Sequence, residues 1–249
     1  MKPLFPFKTN GPRSNRSSVG ASAPDPAARR PERPLQQTEG VSLDNNNPYD
    51  RPSYPLLIVI SGPSGVGKDT IARRLIDRNP DQFYFVVTAT TRDPRPDEVD
   101  GRDYFFVKEE EFARMIEEDE LLEYAIVYND FKGVPKQQIR EALASGRDVI
   151  MRVDVQGAAT IRQIVPNATL IFLSVESEES LTLRLRQRKS ESSDSLSLRI
   201  ATARQEIKRV REFDYYVVNP HDAPNEAVDN LMGIIAAEKC RVKQKPIVR

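Results

Sequence analysis

The sequence is poor in the side chains that most metal and redox chemistry uses. Its 249 residues contain one cysteine, Cys240, one histidine, His221, and no tryptophan. A single cysteine excludes an internal disulfide and any multi-cysteine metal site, and a single histidine excludes a histidine cluster. Net charge is missing too, because 37 Lys and Arg balance 37 Asp and Glu. That balance argues against binding nucleic acid or membranes through bulk positive charge. No apolar run approaches the roughly 18 residues needed to cross a bilayer. What remains, at 39% hydrophobic and 30% charged residues, is an ordinary globular composition with length for one large domain or two small ones.

The neutral total is unevenly spread. Ten of the 19 prolines lie in residues 1–55, and the first 53 residues carry 8 basic against 5 acidic side chains. Few large apolar residues follow Phe7, and no period of 2 or 3.6 is present, so this segment is expected to be disordered. Basic, serine-containing and acid-poor at its start, it reads as a transit peptide for a plastid or mitochondrion. The alternative is a plain solvated tail on a cytoplasmic protein. It has no apolar h-region of a secretory signal.

Order is expected from Tyr54. Residues 56–61 form a continuous apolar run that suits a strand buried on both faces. Helical spacing follows from Ile71 and stops before Pro80. Further strands are expected at Phe83–Val87, Asp148–Val153, Ala168–Val175 and Tyr215–Val218. Helices are expected at Glu109–Glu120, Lys136–Ala144, Glu178–Lys189, Leu196–Val210 and Glu226–Glu238. Strands alternating with helices predict an α/β fold on a parallel sheet.

Between the first strand and helix lies Ser61-Gly62-Pro63-Ser64-Gly65-Val66-Gly67-Lys68-Asp69-Thr70. Three glycines in six residues let consecutive backbone N–H groups turn toward one anion. The helix N-terminus adds partial positive charge, and the lysine reaches the β- and γ-phosphates of a nucleotide. This is a P-loop with one departure: Asp69 stands where the pattern asks for the Ser or Thr that ligates Mg²⁺, and Thr70 comes one residue too late. A carboxylate is a hard oxygen ligand for that ion.

A second stretch concerns the other substrate. Arg92 and Arg95, set among prolines, make a rigid cationic loop suited to a phosphate. Tyr104 offers a hydroxyl to the same group. Glu98 and Glu123 are acceptors of the kind that match the N1–H and N2–H₂ edge of guanine, which adenine lacks.

These segments resemble guanylate kinase. The resemblance rests on Gly62 to Lys68, on Thr90-Thr91-Arg92-x-Pro94-Arg95-x-x-Glu98-Val99-x-Gly101-x-Asp103-Tyr104, on Leu122-Glu123, on Val153-Asp154-Val155-Gln156-Gly157 and on Val217-Val218-Asn219. It spans about residues 55–240. It implies a P-loop core within residues 54–245, a GMP-binding arm near 88–135 and a mobile LID near 184–204. ATP and GMP would be the substrates, Mg²⁺ the cofactor, and the protein a monomer or homodimer needing neither nucleic acid nor membrane. Carried over by position, Thr88, Arg92, Arg95, Glu98, Tyr104, Glu123, Lys132 and Asp154 would bind GMP. The P-loop residues, Arg184 and Asn219 would bind ATP, and Lys68, Arg92, Arg95, Arg188 and Arg199 would serve the transferring phosphoryl group. Asp69 and Asp154 would stand near the metal.

Several positions depart from the common pattern. Lys132 replaces a tyrosine, Val134 a serine, and Arg152 a residue that is often acidic, while Arg188-Lys189-Ser190-Glu191 replaces Arg-Gly-Thr-Glu. Two other readings remain open at this point: a kinase-inactive interaction module of the same fold, and a related P-loop kinase for another phosphorylated small molecule.

Overall fold

The apolar run after Tyr54 becomes β1 (Leu57–Ser61), with every residue buried. The computed structural model that shows this describes residues 54–127, 130–187, 193–242 and 247; the readings of residues 1–53 and of Arg188 to Glu191 lie outside them. The Gly-rich loop leads into α1 (Lys68–Arg78), which buries Ile71, Ala72 and Leu75, and then β2 (Phe83–Phe85). An arm follows, made of β3 (Ala89–Thr90), β4 (Phe105–Phe106), α2 (Glu109–Glu117), β5 (Leu121–Val127) and β6 (Asp130–Pro135). The chain returns through α3 (Lys136–Ala144), β7 (Asp148–Arg152), α4 (Val155–Ile164) and β8 (Thr169–Ser174). It ends with α5 (Glu178–Gln187), α6 (Ser193–Lys208), a 3-10 turn (Arg209–Glu212), β9 (Tyr215–Val218) and α7 (Pro224–Lys239).

Five strands form a wholly parallel sheet in the order β2-β7-β1-β8-β9. Alternate residues of β1 point to opposite faces. Ile58 and Ile60 pack with Leu75 of α1 and Leu231 of α7. Leu57 and Val59 pack with Ile139 of α3 and Ile161 of α4. Both faces are covered, which is why the strand reads as an unbroken apolar run rather than an alternating one. In the register Ile60 stands beside Arg152, so the loop after β1 and Asp154 after β7 leave the same edge. Ligands of open parallel sheets bind at this carboxyl edge, where the chain turns to opposite sides.

The arm carries a second, mixed sheet beside the parallel core. Its four strands run β4-β3-β6-β5, with β6 antiparallel to both β3 and β5. A small core of its own, built on Ala89, Phe112, Met115 and Leu121, supports it. The β5–β6 ladder shifts register between Leu121 and Glu123. An extra residue of this kind bends a strand and re-aims its side chains. Here Leu121 packs in the arm, Leu122 joins the main core, and Glu123 is buried as well.

Helix α4 was not expected. Its N-cap is Asp154, whose Oδ1 accepts from the backbone N–H groups of Gln156 at 2.9 Å and Gly157 at 2.7 Å. Among the described residues no helix is long and apolar enough to cross a membrane.

Candidate active site

A cleft of about 450 Å³ opens between the carboxyl edge of the parallel sheet and the arm. Thirteen of the residues expected from sequence line it: Ser64, Gly65, Gly67, Lys68, Asp69, Thr88, Arg92, Arg95, Tyr104, Glu123, Lys132, Asp154 and Arg199. Ser61, Gly62, Pro63 and Val66 form the buried underside of the loop. Thr70 is exposed on α1 and does not line the cleft. Arg188 falls outside the described residues.

The loop needs its first glycine. Gly62 has φ +135°, and a Cβ there would sit 2.1 Å from the carbonyl oxygen of Leu173. The Lys68 ammonium lies back along the loop, donating to the carbonyls of Gly62 at 2.6 Å and Pro63 at 3.0 Å. Behind the loop, Arg184 donates to the Asn219 carbonyl at 2.8 Å and Asn219 Nδ2 to the Val66 carbonyl at 2.8 Å. These two residues therefore brace the cradle from outside the cleft. From α6, Arg199 donates to Ser64 Oγ at 2.9 Å. Glu206, two turns further along the same face, accepts from the Ser64 backbone N–H at 3.4 Å. Burial raises the Glu206 carboxyl above its ordinary range, and nearby Lys68 opposes that rise. The sequence reading missed Glu206, although seven residues after Arg199 is a helical signal.

On the arm side the two glutamates separate. Glu98 accepts from Arg92 with both oxygens at 2.9 Å and from the Arg95 backbone N–H at 2.8 Å. Burial alone would raise its carboxyl, but these hydrogen bonds outweigh burial and hold it below the usual carboxylate range. Glu98 is not among the residues that line the cleft, and its carboxylate is engaged by the two arginines. Glu123 is 6% exposed, and its Oε2 has no hydrogen-bond partner among the described residues. Burial, aided by Asp154, pushes it up to about 8. Gly157 of α4 gives it room, since a Cβ there would lie 2.9–3.0 Å from the carboxyl group. Ser61 Oγ, Thr88 Oγ1 and Asn219 Oδ1 are likewise buried without a partner among the described residues. Buried polar atoms left unpaired in or beside a cleft call for a ligand.

A family model for guanylate kinase matches residues 54–238. The chain belongs to the guanylate kinase family. It is 52% identical over 216 residues to "Guanylate kinase 2, chloroplastic/mitochondrial" of Oryza sativa subsp. japonica, covering 86% of this chain and 75% of that one. It is 44% identical over 196 residues to a guanylate kinase of Desulfitobacterium hafniense, covering 79% and 96%. Among solved structures, guanylate kinase from Anaplasma phagocytophilum superposes with a TM-score of 0.62 at 28% identity, covering 77% of this chain and 89% of that one.

Against that family background, two of the departures turn out to be partners. Arg152 donates to Asp69 Oδ1 at 2.6 Å. The cation therefore sits against the carboxylate that replaces the hydroxyl of the P-loop. Lys132 faces the Tyr104 ring at 6.0 Å, as do Arg92 at 5.2 Å and Arg152 at 4.2 Å. Three cations thus ring one phenol. Burial, then the neighbouring Lys68 and Arg92, push the Lys132 ammonium down to about 8. Val134 is fully buried opposite Glu123 in the ladder. Having no hydroxyl, it leaves the glutamate's burial uncompensated.

Proposed function

We propose that this chain transfers the γ-phosphoryl group of ATP to GMP, and to dGMP, giving ADP and GDP. One observation carries the choice of acceptor: an unpartnered buried carboxyl, Glu123, shares a cleft with the P-loop lysine. Ionised, it accepts from the N1–H and N2–H₂ groups of guanine, with Thr88 alongside. Arg92, Arg95, Lys132 and Tyr104 bind the GMP phosphate. The loop, braced by Arg184 and Asn219, binds ATP.

The attacking phosphate oxygen is already anionic, so no strong base is required. Catalysis is positioning and charge stabilisation. Lys68, Arg199 and Arg188 neutralise the oxygens of the transferring group, while Arg92 and Arg95 align the acceptor. Closure of the LID and the arm excludes water, which makes transfer depend on GMP.

Asp154 and Asp69 are hard oxygen donors at the cleft and fit Mg²⁺. Each has commitments, Asp154 to the α4 cap and Asp69 to Arg152. With Asp154 and Asp69 as its protein donors, the ion would depend on the nucleotide phosphates and water for the rest of its shell. Mg²⁺ supplies charge neutralisation at those phosphates when bound.

The basic first 24 residues, which contain no acid, and the name of the rice relative support import into a plastid or mitochondrion. Zero net charge supports action on free nucleotides, without nucleic acid or membrane as a partner.

An ADP-release assay with GMP, dGMP, AMP and UMP as acceptors tests the reading. Turnover is expected with GMP and dGMP alone, and Lys68→Ala should lower kcat by about 100-fold or more. Failure to turn over with any acceptor, or a preference for AMP or UMP, overturns it.

A further inference from the structure

Arg152 is 4% exposed, and a buried guanidinium persists only where partners compensate its lost hydration. Its partners come from both halves of the cleft. One nitrogen donates to Asp69 in the first turn of α1, next to the P-loop lysine. Another donates to the backbone carbonyl of Asp103 in the arm. The guanidinium plane lies 4.2 Å from the centroid of Tyr104. The Asp103 side chain, itself buried, is ion-paired with Arg73 of α1 and with Arg102.

We infer that Arg152 is a positioning residue that couples the two nucleotide sites: it neutralises Asp69 for ATP and fixes Asp103 and Tyr104 for GMP. This rests on the phosphoryl-transfer reading above. The Asp69 carboxylate, with 32% of its side chain exposed, puts a negative charge next to the ATP phosphates. Arg152 cancels it. On the other side, Tyr104 also carries Arg92 and Lys132 on its ring, so the seat of that ring sets where two GMP-phosphate cations stand.

The two roles separate by mutation. Binding of GMP and of a non-hydrolysable ATP analogue, with and without Mg²⁺, would be measured by calorimetry, alongside unfolding midpoints and the KM for each substrate. Arg152→Met should weaken both ligands, each by about tenfold, because the Asp69 carboxylate beside the phosphate loop loses this counter-charge and the arm loses its anchor. Asp69→Asn combined with Arg152→Met should return the metal-free ATP analogue to within about threefold of the parent while GMP stays weak, since the charge conflict is relieved and the arm's anchor is not restored. Arg152→Lys keeps the charge but not the planar fork, so ATP affinity should hold and GMP affinity fall. Parental affinities in Arg152→Met, or equal losses of both ligands in the double variant, would overturn the coupling. A parent that neither binds nor phosphorylates GMP would instead overturn the functional reading.

Discussion

Glu98 grips Arg92 with both carboxylate oxygens at 2.9 Å, and the same carboxylate holds the backbone of Arg95. One guanidinium nitrogen of Arg92 serves both oxygens while the other donates to the Asp93 carbonyl, so the guanidinium is held at both ends by charge-assisted and backbone contacts. The arginine loop is therefore aimed before any phosphate arrives.

Glu98→Ala should free both arginines and raise the KM for GMP by about 10–100-fold, the loss expected when charge-assisted hydrogen bonds go. The preference for GMP over AMP should not change, because Glu98 is committed to phosphate ligands. Initial rates over a matrix of the two acceptors check both halves; a selective loss of base discrimination would count against this assignment.

Glu123 should behave in the opposite way. Glu123→Gln presents an amide donor to N1–H, so discrimination against AMP should drop by about tenfold or more. The same change should stabilise the unliganded protein. Folded Glu123 keeps its proton up to about 8, against an ordinary value of 4.5. Between those values the folded state binds the extra proton, so stability falls as pH rises through this window, and the penalty is complete above about 8. Melting curves at pH 9 should place the Gln variant above the parent, with the gap closing toward pH 4.

Lys132 adds a proton linkage of its own. Its ammonium is pushed down to about 8, so it is largely neutral at pH 9 and must regain a proton to pair with a phosphate. The KM for GMP should climb above pH 8. Below 8 the dominant exchange is release, as Glu123 ionises to accept the base. Calorimetry of GMP binding in buffers of different ionisation heat should show net release near pH 7 and uptake near pH 9. Lys132→Met should abolish the uptake and Glu123→Gln the release.

Gly62→Ala should be among the most damaging small changes in the loop. The added Cβ meets the Leu173 carbonyl at 2.1 Å, at a φ that side chains rarely adopt. A loss of several kcal/mol is expected from combined overlap and strain. A melting point within 2–3 °C of the parent, roughly 1 kcal/mol for a domain of this size, would contradict it.

The parallel core was legible because its physics is local. A doubly buried strand leaves a continuous apolar run, and α3 kept its expected bounds because Ser145-Gly146 ends it. The arm's β3 and β4 are two residues long, too short to show any period. Helix α4 was hidden by Gly157, a poor helix former that is there to clear Glu123, and by Asp154, read for its chemistry although it is also a capping residue. Within the site, residue types in order located the loop and the arginines. The pairing of Asp69 with Arg152, 83 positions apart, depends on the crossover through α1 and the arm. The division of labour between Glu98 and Glu123 depends on which one the β5–β6 ladder buries.

The register shift after Leu121 adds one residue without moving Glu123 from its place opposite Val134. A chain shortened by that residue would restore a regular ladder and still aim the carboxyl at the cleft, but it would have one leucine where this one has two. The arm core holds Leu121 and the main core holds Leu122, so the shortened strand would serve only one of them. The added residue is thus a rivet between arm and core, set directly beside the carboxyl that faces the base. Transplanting the base site into another scaffold means transplanting that rivet with it.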